Sequence, residues 1–194
     1  MTRTNIRRAA VALTLAALAG TAAAHTGHGT HGFFAGLEHP FGLDHLLAMV
    51  AVGVWSAAAL QGARRWWGPV CFVSAMTLGA AFGVAGIELP FVEHGISASV
   101  VVFGLMLMLA TRLPPALGLA LIAASASLHG LAHGSEIPEG SGFAAYAAGF
   151  VLTTAALHLG GLGLGLRLNR ARPVVWRVLG AAVGSAGLVM LARI

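Results

Sequence analysis

Residues 39–49 read HPFGLDHLLAM, two histidines and an aspartate that lead straight into an apolar run reaching residue 60. In lipid, an ionised side chain at the centre of a helix costs roughly 2.5 kcal/mol or more. The stretch therefore poses two linked questions: which solvent the segment meets, and why polar chemistry stands at its mouth. A second stretch of the same character, HGLAHGSE at 129–136, closes another apolar run far downstream.

Composition answers the first question. Of 194 residues, 58% are hydrophobic and only 9% are charged, whereas soluble domains carry about 25% charged residues. Six apolar segments, 41–60, 67–87, 95–111, 114–132, 143–166 and 174–192, each approach the ~20 residues that cross a hydrocarbon core. The Pro114-Pro115 pair marks the turn out of the third. The expected fold is all-α, a polytopic transmembrane bundle of six helices spanning 39–194, with lipid as its main partner. GxxxG pairs at Gly79 and Gly83 and at Gly180 and Gly184 suit close helix approach in lipid.

The first residues carry a different pattern. Arg3, Arg7 and Arg8 precede an apolar run at 9–20, and three alanines at 22–24 supply a small-residue cleavage site. That is the order of regions in a secretory signal peptide, here 1–24; an uncleaved first membrane helix is the other reading. Cleavage leaves 25–38 as a histidine-rich arm in the periplasm and places the protein, multi-pass, in a bacterial inner membrane.

Arginine placement tests that orientation. With the mature N-terminus outside, the inner loops 61–66, 111–115 and 167–173 or their flanks hold Arg64, Arg65, Arg112, Arg167, Arg170, Arg172 and Arg177. Only Arg193 falls outside, so the positive-inside rule agrees with the signal peptide. All six carboxylates and eight of the nine histidines then lie towards the outer face, and His158 alone lies deeper. Such a face concentrates cations. The eleven basic residues are all arginine, scattered without the basic face that phosphate binding needs, which argues against nucleic acid. Cys71 is alone, so the chain forms no internal disulfide.

The second question concerns the two motifs. His129 and His133 are spaced i, i+4 and stack on one helix face. Glu136 reaches the same side if the helix lasts that long. Two imidazoles and a carboxylate in this spacing suit a divalent transition metal. Gly130 and Gly134 offer another reading, in which the motif serves packing and the histidines bond to neighbouring helices. In the first motif, Pro40 suits a first helical position and leaves His39 free to fold back over the helix mouth. His45 lies in the first turns. Asp44 points about 100° away from it and either ligates metal directly or orients a histidine.

Here the residues meet a resemblance. His39-x4-Asp44-His45 is similar to the HX4DH signature of nickel/cobalt permeases, and HPFGLDHLLAM with HGLAHGSE closely resembles the two motifs of the HupE/UreJ family. The likeness covers nearly the whole chain. It implies a permease taking up nickel, with cobalt possible, as substrate rather than bound cofactor, in service of hydrogenase or urease maturation. His39, Asp44 and His45 match the first motif; His129, His133 and Glu136 match the second. One departure is that Ala126-Ser127-Leu128 precedes His129 where an aromatic neighbour is expected. Ahead of both motifs, HTGHGTHG places His25, His28 and His31 on flexible small residues, a nitrogen-rich set suited to capturing Ni(II) or Cu(II).

Other classes fit less well. A di-iron desaturase resembles an HxxxH plus HxxHH pattern facing the cytoplasm, a zinc protease needs HExxH, and a serine protease would rest on Ser127 and His158 merely being present. The chain is read as no enzyme. A cobalt, zinc or copper transporter and a metal sensor or buffer are the remaining alternatives. With no lysine anywhere there is no Walker A motif, so transport is passive or ion-coupled. An inward-negative potential contributes about 4.6 kcal/mol per 100 mV for a divalent ion. The two motif helices run in opposite directions with their sites at one face, as a three-plus-three inverted repeat would place them. A reporter fused after Arg65 should behave as cytoplasmic and one after Gly140 as periplasmic; the opposite pattern would reverse the uptake direction.

Overall fold

Backbone polar groups in hydrocarbon have no water to bond, so apolar segments of this kind close their hydrogen bonds within helices. A computed structural model of the chain describes residues 32–135 and 143–194, and among them the regular secondary structure is entirely helical. The order is α1 (Phe33–Glu38), a short 3-10 turn (His39–Phe41), α2 (Leu43–Ala59), α3 (Trp67–Val84), α4 (Val92–Leu109), α5 (Pro115–Ser135), α6 (Phe143–Leu168) and α7 (Pro173–Leu191). Five spans, α3 (from Gly62) to α7, are long and apolar enough to cross a membrane alone; α1 with its turn and α2 make a sixth as a pair bent by 76°. The all-α polytopic bundle is thus the observed architecture. The segment 1–24, His25, His28, His31 and Glu136 lie outside the described residues.

Two local features differ from the sequence expectation. The first long helix begins at Leu43, and Pro40 sits in the preceding 3-10 turn, where its missing N–H and fixed φ are tolerated. Gly42 separates the two, and a Cβ there would lie 3.0 Å from Asp44 Oδ1 and 3.5 Å from His45 Nδ1. Residues 33–38, expected as the end of the arm, instead form α1 against α6. Gly36 faces the backbone of Tyr146 and Phe150, Gly149 faces that of Phe33 and Leu37, and Thr153 Oγ1 donates to the Leu37 carbonyl at 2.9 Å.

The bundle is built from three dominant helix pairs: α3 with α5, α4 with α7, and α2 with α6. Counting the long helices α2–α7 as spans one to six, exchange of the first three with the last three leaves this pairing unchanged, as an inverted repeat requires. Small residues set the contacts. A Cβ on Gly79 or Gly83 would collide with the α5 backbone at Ser127 or Leu131, and one on Gly180 with the Gly104 carbonyl. Gly184 differs, since a Cβ there would find ordinary contact at 3.9 Å. Gly86, with φ +80°, ends α3: the Ile87 N–H donates to the Phe82 carbonyl across it at 3.0 Å, a Schellman closure.

Trp55, Phe72, Phe103, Met49 and Ile122 fill the interior, while Leu78, Phe82, Leu105 and Leu152 stand exposed on the flanks, where lipid would cover them. At the end opposite the two motifs, Arg65 Nε donates to the Leu60 carbonyl at 3.2 Å and satisfies a terminal acceptor of α2. Replacing Gly134, whose Cβ would strike the Ala80 carbonyl, with alanine should destabilise the protein by about 1–3 kcal/mol, the usual cost of overpacking. Gly160 has open space around it, so Gly160→Ala should be neutral or stabilising by up to about 1 kcal/mol. Thermal unfolding in detergent compares the two.

Candidate metal centre

The glycines of HGLAHGSE determine where its histidines look. Cβ atoms on Gly130 and Gly134 would collide with the Met76 and Ala80 carbonyls of α3, so this face of α5 is pressed against α3. His129 and His133, each one residue earlier and about 100° round the helix, therefore face elsewhere, towards the start of α2. The glycines of this motif pack on one face of the helix, and its histidines stand on another.

Three imidazoles converge there. The His133 ring lies 4.4 Å from that of His39 and 4.5 Å from that of His45, and one ligand nitrogen from each of the three sits within 4.8 Å of the others. His39 is carried by the 3-10 turn, His45 by the first turns of α2 and His133 by the last turns of α5. His45 and His133 are buried, at 8% and 7% exposure. Phe150 of α6 packs 4.8 Å from His133 and Tyr146 stands 6.0 Å from His39, so the cluster has an aromatic wall.

Hydrogen bonds select which nitrogen each ring offers. Asp44 Oδ1 accepts from the His45 backbone N–H at 2.8 Å and pairs with Nδ1 of the same ring at 2.7 Å. An ionised carboxylate only accepts, so Nδ1 carries hydrogen and Nε2 keeps the lone pair. That Nε2 is buried and lacks a hydrogen-bond partner among the described residues, as do both ring nitrogens of His133. Asp44 Oδ1 is thus engaged with His45, as an orienting carboxylate would be.

His129 departs from the expectation that it joins His133 in one ligand set. Ser99 Oγ donates to the Ile96 carbonyl at 2.6 Å. Its hydrogen committed there, it accepts from His129 Nε2–H at 2.9 Å. His129 then holds its lone pair at Nδ1, which is buried without a partner, and its ring lies 4.8 Å from that of His45. It stands beside the three-histidine cluster, one turn deeper, because α4 supplies a serine at its level.

Sequence reading missed Ser99, Phe150 and Tyr146. Ser99 left a signal, a hydroxyl inside an apolar span; the aromatic residues of α6 left none. The aromatic neighbour missing before His129 comes from another helix, as the Phe72 ring of α3 lies 5.9 Å from the His129 ring.

A polytopic membrane protein with a buried histidine cluster at one end of its helices is the class these features define. The chain belongs to the HupE/UreJ family: the family described as HupE / UreJ protein matches residues 13–190. It is similar to Protein HupE of Rhizobium leguminosarum bv. viciae, with 44% identity over 185 residues that cover 93% of this chain and 96% of that protein. No solved structure matches it. The hydrogen-bond assignment is checked by nitrogen-15 NMR of labelled protein, where His45 should be the Nδ1–H tautomer and His129 the Nε2–H tautomer; the reverse pattern would mean the network is wired differently.

Proposed function

We propose that the chain is a permease for uptake of a divalent transition metal, foremost nickel, across a bacterial inner membrane, supplying hydrogenase or urease maturation. The observation that carries this reading is the convergence of His39, His45 and His133, with His45 Nε2 and both His133 nitrogens buried and without a hydrogen-bond partner among the described residues. An unsatisfied buried polar group costs about 1–3 kcal/mol. A bound cation offsets that cost at the lone pairs, and borderline nitrogen ligands suit nickel and cobalt. The choice of nickel follows the family resemblance.

Each named residue has a distinct task. Asp44 holds His45 in the ligating tautomer, as a carboxylate behind a metal-binding imidazole does. His129 offers the next nitrogen below. Glu136 adds a carboxylate beyond the end of α5, and His25, His28 and His31 capture ions before the helical site. The membrane potential drives a divalent ion inward without a nucleotide-binding motif.

His45→Ala and His133→Ala should each reduce radioactive nickel uptake into proteoliposomes to the rate of protein-free vesicles. Groups acting as one unit are strongly non-additive, so the double variant should be no worse than either alone. Nickel binding should also weaken as pH falls, because protons compete for the same imidazole lone pairs. Binding without uptake in the unaltered protein would make it a sensor or buffer, and normal uptake by either variant would remove that histidine from the site.

A further inference from the structure

The upper cluster leaves one buried histidine without a task. His158 of α6 is 2% exposed, and its Nδ1–H donates to the Thr154 carbonyl at 2.8 Å. Nε2 therefore holds the lone pair, and it has no hydrogen-bond partner among the described residues. Thr154, one turn earlier on the same face, is 0% exposed, and its Oγ1 is also unpartnered. Two buried groups left open one turn apart on one helix are unusual, since native cores satisfy such atoms.

Their position is equally informative. The Gly53 backbone of α2 packs on the His158 backbone, which places it about two turns, roughly 12 Å, below His45. Between the two levels the rings form a continuous series: His45 to His129 at 4.8 Å, His129 to Phe72 at 5.9 Å, and Phe72 to His158 at 4.9 Å. Phe72 is fully buried and is the only described ring in contact with both His129 and His158.

We propose that His158 Nε2 and Thr154 Oγ1 form a second, deeper station for the divalent cation, entered from His129 past the Phe72 ring. The proposal rests on the transport reading. One imidazole and one hydroxyl, with water carried in by the ion completing the shell, hold a transition metal weakly. That is what transit demands, because an ion must bind well enough to enter and loosely enough to leave. Displacement of the Phe72 side chain opens the step between His129 and His158, so the two stations exchange the ion without a continuous wet pore.

The test uses full-length protein in proteoliposomes with radioactive nickel, beside equilibrium dialysis of the detergent-purified protein. H158Q should lower nickel uptake at least ~10-fold while nickel affinity at the upper cluster stays within about threefold. H158C replaces the imidazole with a softer ligand and should raise the cadmium-to-nickel uptake ratio several-fold, a change that a purely structural histidine would not produce. Normal nickel uptake by H158Q, or an unchanged ratio in H158C, overturns the proposal; if H158Q does not fold, the ratio in H158C decides. Should the unaltered protein carry no nickel, the transport reading fails. The station is then judged by dialysis at raised nickel, where loss of a second bound ion in H158Q supports it and no difference refutes it.

Discussion

Close backbone contact at glycine holds this bundle together and, by the same act, aims its chemistry. Lipid supplies no hydrophobic drive between helices, so association relies on van der Waals packing, which small residues make possible. Gly130 and Gly134 seat α5 on α3, Gly53 and Gly161 seat α2 and α6 on each other, and Gly36 and Gly149 seat α1 on α6. Once those faces are committed, the remaining faces of α2 and α5 confront each other at one end. His45 and His133 have no other direction left.

Low polarity then gives each hydrogen bond in that space more consequence than it would have in water. Asp44 fixes one ring and Ser99 another, so lone pairs at His45 Nε2 and His129 Nδ1 are chosen before any ion arrives. The arrangement leaves nitrogens unsatisfied among the described residues, a cost that native cores rarely carry. The bend between α1 and α2 contributes as well. It folds His39 across the cluster from a separate short element.

The spans were legible because their physics is one-dimensional: apolar length and arginine position need no tertiary information. The chemistry of HPFGLDHLLAM and HGLAHGSE was legible for a similar reason, since a lone His-Asp-His group at the mouth of an apolar helix has few inexpensive explanations. The long helix starts at Leu43, three residues after Pro40, because Pro40 suits a 3-10 turn as well as a first helical position. The end of the arm gave no helical warning, as α1 is stabilised by docking on Gly149 rather than by its own six residues.

The sequence by itself determined the class of fold and singled out the histidines that gather at one end of the bundle. Which of those residues meet was decided only in three dimensions. His129 and His133 share a spacing that makes them equivalent in sequence, yet Ser99 from α4 pairs with one nitrogen of His129 while neither nitrogen of His133 has a partner among the described residues. Asp44 points away from His45 by helical spacing alone, yet its carboxylate turns back onto its own neighbour's ring beside Gly42. His158, inconspicuous in an apolar run, gained a neighbour in Phe72 from a segment more than eighty residues away. Periodicity along one helix settles which side chains share a face, but partners on other helices depend on crossing contacts that local sequence does not encode.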